Sequence, residues 1–335
     1  MKTKWYLFIV TIIAVTAIIF SVLQFHQKEE PFEVGVLMIG KNRDQKFNGL
    51  KKGLEELGFD NKEITYIVKN ANDDEDKMKR QIVALLDDNP DIIVTLGGVE
   101  STLLKEEMSE ENKRIPVVFA GVAAPKELGL IEDYRSPGGL FTGINNYHTS
   151  ISGKRLELLT NLVPSIQLVH VIYDSKIEIS QLSLNETKEA AKKLNIRIHP
   201  YDVSKNSNVN LRNSIKKEEA LLILPSFRIE ALTDELVSLA TDKQIPAMGL
   251  YEFEAEKGML ASYGASFYSQ GYQAARFVSL IINGNSPADL PVELPDSIRF
   301  VINKETKDAI DVLYNQDLLS IAEYIYPDQI ARGEK

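Results

Sequence analysis

Cysteine is absent from the 335 residues. Without a thiol there is no disulfide framework, no thiolate nucleophile, no iron–sulfur cluster, no cysteine zinc site and no lipid tether on an N-terminal cysteine. Histidine is scarce: His26, His148, His170 and His199 are scattered along the chain and form no cluster with metal-ligand spacing. Positive charge is the minority sign, with 38 Lys and Arg against 48 Asp and Glu and a net charge of −10, which argues against a general affinity for nucleic acid. The motifs of common catalysts and cofactor binders are missing too. There is no G-x-x-x-x-G-K-[ST] loop, no G-x-G-x-x-G, no H-E-x-x-H and no G-x-S-x-G. The acidic run Asp73-Asp74-Glu75-Asp76 lacks the spacing of a calcium loop and suits a helix N-terminus. No metal, no cofactor and no enzymatic activity are therefore expected.

One long apolar run is present. Trp5 to Phe25 carries no charge and follows Lys2 and Lys4. At about 1.5 Å per residue it spans roughly 30 Å, one hydrocarbon core, with Trp5 and Tyr6 at its interfacial end. Its exit, Ser21-Val22-Leu23-Gln24-Phe25-His26, offers bulky residues where a signal-peptide cleavage site needs small ones. The expectation is an uncleaved anchor over 1–25 and a linker over 26–32. The positive-inside bias puts the N-terminus in the cytoplasm and the rest outside the cell membrane, as a single-pass protein.

Beyond residue 32 the composition is globular, with 44% hydrophobic and 26% charged residues over the whole chain. Short apolar runs alternate with amphipathic stretches. Val34–Ile39, Ile64–Val68, Ile92–Leu96, Pro116–Ala120 and Leu140–Ile144 read as strands, separated by helices over Gln45–Leu57, Asp74–Asp87 and Ser101–Met108. The pattern restarts after Asn145-Asn146. Strands at Leu168–Tyr173, Ile196–Tyr201, Ala220–Leu224, Pro246–Leu250, Met259–Tyr263 and Ile298–Ile302 alternate with helices at Ile151–Leu162, Ser180–Leu194, Leu211–Lys217, Ile229–Thr241 and Tyr268–Ile282, and two helices close the chain. Strands that are nearly all apolar are buried on both faces, as parallel strands are. About eleven of them exceed a TIM barrel or one ordinary doubly wound sheet, so two doubly wound α/β lobes are predicted, with a boundary near residues 145–150.

Ligands of doubly wound sheets bind beyond the carboxyl ends of the strands. Those ends carry small residues and helix starts: Gly40-Lys41-Asn42, Gly97-Gly98 with Ser101, Gly121-Val122-Ala123, Tyr173-Asp174, Pro225-Ser226-Phe227 and Tyr251-Glu252.

At these positions the chain resembles a known family. Phe119-Ala120-Gly121-Val122-Ala123-Ala124-Pro125 followed by Ser136-Pro137-Gly138-Gly139-Leu140-Phe141-Thr142-Gly143 is similar to the "F-A-x-V-T-D-P … P-G-G-N-x-T-G" block of ABC transporter substrate-binding proteins, in the family with tryptophan- and tyrosine-binding members. Gly153-Lys154-Arg155-Leu156-Glu157-Leu158-Leu159 resembles its "G-K-x-L-E-L-L" helix. Gly258-Met259-Leu260-Ala261-Ser262-Tyr263-Gly264 and Tyr268-Ser269-Gln270-Gly271 resemble its "G-A-L-A-S-Y-G … Y-x-x-G" segment. The resemblance implies a type I periplasmic-binding fold, two lobes joined by three crossovers and closing on a small molecule. It divides the chain into lobe one at 32–147 plus about 260–290 and lobe two at 148–259 plus about 291–335. With the strand ends, it marks Asn42, Gly97, Gly98, Ser101, Val122, Ala123, Tyr173, Ser180, Ser226, Phe227, Tyr251 and Tyr263 as ligand-binding candidates.

The departures from the family pattern bear on the ligand. Its Thr-Asp is Ala123-Ala124 here, its Asn after Pro-Gly-Gly is Leu140, its Asn-Ser is Ile179-Ser180, and its two later Asp residues are Phe227 and Ser266. A desolvated ammonium needs acceptors. The sequence therefore predicts a less charged, apolar or aromatic ligand, held by Phe227, Tyr251, Tyr263 and backbone amides. The function implied is capture of a small molecule for an ABC permease and its ATPase. Two other readings are a sensor subunit signalling to a separate membrane kinase and an extracytoplasmic hydrolase; the latter lacks a nucleophile–base pair.

Overall fold

The computed structural model describes residues 31–60, 62–205 and 208–327. The apolar run Trp5–Phe25 lies outside them, and among the described residues no helix is long and apolar enough to cross a membrane.

The first sheet contains β1 (Phe32–Met38), β2 (Ile64–Asn70), β3 (Ile92–Thr95), β4 (Val117–Val122) and β5 (Phe141–Asn145), in the order β2-β1-β3-β4-β5 with every pair parallel. Between them run α1 (Asp44–Glu56), α2 (Glu75–Asp88) and α3 (Gly98–Glu110). The continuous apolar runs serve two cores because side chains alternate along a strand. Val34, Val36, Val94 and Val118 face Leu50 and Leu54 of α1. Leu37, Ile93, Val117 and Phe119 face Met78, Ile82, Leu85 and Leu104 of α2 and α3. The acidic run opens α2, where the Asp74 side chain caps the helix by accepting from Lys77 N at 2.8 Å.

The second side holds α4 (Ser152–Leu162), β6 (Leu168–Tyr173), α5 (Glu178–Leu194), β7 (Arg197–Asp202), α6 (Asn208–Ser214), β8 (Glu219–Ile223), α7 (Phe227–Ala231), α8 (Thr233–Lys243), β9 (Ala247–Gly249), α9 (Glu252–Glu256) and β10 (Ala261–Gly264). After α10 (Phe267–Ile282) come β11 (Arg299–Asn303), α11 (Lys304–Ala309), α12 (Gln316–Ile321) and β12 (Glu323–Ile325). The sheet order is β12-β11-β10-β9-β8-β6-β7.

The architecture is α/β in two layered units, with one departure from an all-parallel reading. β11 runs antiparallel to β10. The chain leaves β10 at the end facing the first sheet, packs α10 against α1, and re-enters from that same end, so its next strand must run away from it. Three crossings join the sheets, after Asn145, after Gly264 and after about residue 296. The last two fall later than the expected boundaries near 260 and 291. Ala261–Gly264 pairs with β9 and β11 of the second sheet. Leu290 and Glu293 still bond to Thr142, Gly143 and Asn145 of the first. Two smaller differences concern length. The single helix expected over Ile229–Thr241 is two, α7 and α8, and the end of the chain adds the three-residue strand β12, too short to register as a periodicity.

Candidate functional site

The carboxyl ends of the two sheets face each other across a cleft. A cavity of about 40 Å³ lies between them. Its walls come from the ends of β1 (Arg43), β3 (Gly97, Gly98, Val99), β4 (Gly121, Ala123) and β5 (Asn146) on one side. Ile177 and Ile179 beyond β6, Pro225, Ser226, Phe227 and Glu230 beyond β8, and Tyr251 beyond β9 form the other. This is the topological position at which open α/β sheets bind ligands.

The contacts across the cleft are both apolar and ionic. Phe227, from the second side, is buried in the core of the first, and Ile177 packs against the same cluster. Gly98 admits Ile179: a Cβ there would stand 2.7 Å from Ile179 Cδ1. Arg43 Nη2 donates to both Glu230 carboxylate oxygens, at 3.0 and 3.1 Å, and both side chains are buried. At the rim, Arg228 donates to Asp174 Oδ2 at 3.0 Å on its own side and to Glu75 Oε2 at 3.2 Å on the other.

Beneath the cavity lies a buried polar layer. Burial opposes the Arg43 charge, but the Glu230 and Glu100 carboxylates more than restore it and hold its pKa above the ordinary guanidinium value. Arg43 Nη1 also donates to Leu96 O at 3.0 Å, and its guanidinium carbon sits 5.4 Å from the centre of the Phe267 ring. Lys46 is fully buried and donates to the carbonyls of Leu96 and Ala120 at 2.9 Å and of Gly121 at 3.3 Å. Desolvation, followed by the nearby Arg43 charge, pushes its pKa well below the usual lysine value. Gly121 has a φ of +88°, and a Cβ there would stand 1.7 Å from Gln270 Oε1, so this strand end requires glycine.

A second buried group ties the crossings together. Arg155 of α4 donates to His148 O at 2.9 Å on the first crossing and to Tyr263 O at 2.7 Å next to the second, and it also contacts His148 Nδ1. Burial lowers the Arg155 pKa to about 10. The His148 ring packs edge-on to Tyr251, centroids 4.7 Å apart, and Tyr251 lies 4.0 Å from the Phe267 ring.

Of the residues marked in the sequence, Gly97, Gly98, Ala123, Ser226, Phe227 and Tyr251 line the cavity together. Asn42 is half-buried in the turn that carries Arg43. Ser101 is buried in α3, donating to Gly97 O at 2.6 Å and bonding Thr95 Oγ1 at 2.7 Å. Val122 belongs to the first core and Ser180 accepts from Asp174 N at 3.0 Å, holding the loop after β6. Tyr173 packs against the second core. Tyr263 does not line the cavity; it lies opposite Phe300 of β11 in the strand pairing, its ring centre is 6.4 Å from that of Phe300, and it packs against the second core.

The sequence pointed to a less charged ligand, but the cleft itself carries charge. Charge lost at Ala124 and Phe227 returns at Arg43 and Glu230, which the sequence reading passed over. The available signal was weak. Arg43 follows the marked Gly40–Asn42 by one residue, and Glu230 lies one helical turn after Phe227, on the same face of α7.

Comparison with known proteins gives the same architecture. The family described as ABC transporter substrate binding protein matches residues 32–325. A tyrosine-binding protein of Clostridioides difficile strain R20291 is 27% identical over 313 residues, covering 92% of this chain and 88% of that one. A solved ABC domain in complex with L-Trp from Streptococcus pneumonia superposes with a TM-score of 0.80 at 21% identity, covering 88% of this chain and all of the other. A conserved domain protein from Vibrio cholerae gives a TM-score of 0.79 at 22% identity, covering 88% and 99%.

Proposed function

The chain belongs to the ABC transporter substrate-binding protein family, and from that premise we propose that, outside the cytoplasmic membrane, it captures an aromatic amino acid between its lobes and delivers it to the permease of an ABC transporter. The observation that carries this reading is the cavity between the carboxyl ends of two sheets, with Arg43 and Glu230 on opposite walls and Tyr251 on the Glu230 side. Opposite charges suit a dipolar ion, and the aromatic lining suits a ring. The tyrosine-binding relative and the tryptophan-bound neighbour support the same class of ligand. The lobes act by closing: a liganded state wins when it gains contacts to both walls that the open state lacks.

On this reading Trp5–Phe25 is the tether that a lipidated cysteine would otherwise supply, and the receptor faces outward. Calorimetric titration of the full-length chain with L-tyrosine, L-tryptophan and the other proteinogenic amino acids tests the ligand class. Saturable binding of an aromatic amino acid, with a dissociation constant of about 10 µM or below, is expected. Absence of binding to any of them overturns the proposal. Delivery is tested by comparing uptake of the labelled amino acid in cells with and without the gene.

A further inference from the structure

The ion pair that spans the cleft carries a further step, which rests on the amino acid reading above. Arg43 stands beyond β1 and Glu230 on α7, and each serves as the other's counter-ion across the two walls. Arg43 is held on its own side by Leu96 O, and its buried Nε has no hydrogen-bond partner. When the lobes part, this pair must part with them. A buried charge without a partner is costly, so the cleft can close over a molecule only if that molecule brings the opposite charges.

We propose that Arg43 and Glu230 are the specificity-determining residues of this cleft, each releasing the other to take one charge of the ligand: the carboxylate goes to Arg43 and the ammonium to Glu230. The pair then discriminates by leaving one of its members desolvated and unpaired whenever a ligand lacks either charge. It also replaces, from a different wall position, the acceptors absent at Ala123, Ala124 and Phe227. Glu230 as a tethered carboxylate that only competes with the ligand for Arg43 would act in the opposite direction, and the experiment separates the two.

The full-length chain is titrated with L-tyrosine, tyramine and 3-(4-hydroxyphenyl)propionate, or with the matching indole set if L-tryptophan binds more tightly. The wild type is expected to bind each one-charge probe at least about tenfold more weakly than the amino acid. Glu230→Gln is expected to lose its preference for the amino acid over the propionate, and Arg43→Gln its preference over the amine. The double variant R43Q/E230Q removes both members of the pair together, leaving Glu100 and Lys46 as the remaining buried charges of the cluster, and guards against misfolding of either single change. It is expected to melt cooperatively and to bind all three probes with similar, low affinity. Tighter amino acid binding by Glu230→Gln, or undiminished discrimination in the double variant, overturns the role of the pair and leaves the amino acid reading standing. A wild type that binds no amino acid overturns both.

Discussion

Glu254, on α9, accepts from the backbone N–H groups of Leu250 and Tyr251 at 2.5 and 2.9 Å, and burial pushes its carboxyl up to about 8. The ordinary value is 4.5, so between pH 4.5 and about 8 the unfolded chain gives up a proton that the folded chain keeps. This group's contribution to stability is therefore fully present below that window and is lost as the pH rises through it. E254Q, which cannot ionise, should remove the effect. The wild-type melting temperature should fall relative to the variant's between about pH 5 and pH 8; a constant difference would count against it. None of this was legible in the sequence, where Glu254 is one of many acidic residues. Its titration is set by neighbours that only the fold assembles. The same holds for Arg43 and Glu230, which are 187 positions apart. Gly97, Gly98 and Ser226 were legible, because small residues after apolar strands have a local meaning.

At the scale of elements, α10 returns from the second sheet to pack on α1, and glycines set how close the two helices come. A Cβ on Gly49 would stand 2.0 Å from the carbonyl oxygen of Tyr268, and one on Gly271 1.8 Å from that of Lys46. Backbone cannot rotate aside as a side chain can. G49A should force the helices apart and cost about 1–3 kcal/mol, seen as a lower urea midpoint; an unchanged midpoint would mean that the pair is looser than this geometry. The apolar faces of both helices could be read from their periodicity, Leu50 and Leu54 on α1 and Ala274, Phe277 and Val278 on α10. That these two faces meet could not, because the partners come from opposite ends of the chain. The reversal of β11 was hidden for a similar reason: strand direction depends on where the chain re-enters, and an apolar run reads the same in either direction.

For the whole molecule, closure depends on side chains that leave their own lobe. Phe227 is 3% exposed and buried in the core of the opposite side. Burying a phenylalanine is worth roughly 1.5–3 kcal/mol, comparable to a conformational gap between open and closed states. F227A should shift that balance toward the open form by about this amount. Small-angle scattering would report it as a larger radius of gyration without loss of secondary structure. A radius equal to that of the wild type would show that the ionic contacts alone hold the cleft. The rim contacts of Arg228 are about one-third exposed and contribute less, since solvent and salt screen them.

The sequence by itself determined the layered α/β class, most strand positions, the glycine-bearing strand ends and the family resemblance, because each is written in local periodicity or in short contiguous motifs. The tertiary structure alone decided which strand ends share a cavity, where the chain crosses between sheets, that Phe227 fills the opposite core, and that Arg43 meets Glu230. Those outcomes depend on distances between residues far apart in the chain. The expectation of a less charged ligand rested on Ala124 and Phe227, and the charges at Arg43 and Glu230 escaped it because charge in a folded site is summed over space rather than along the sequence.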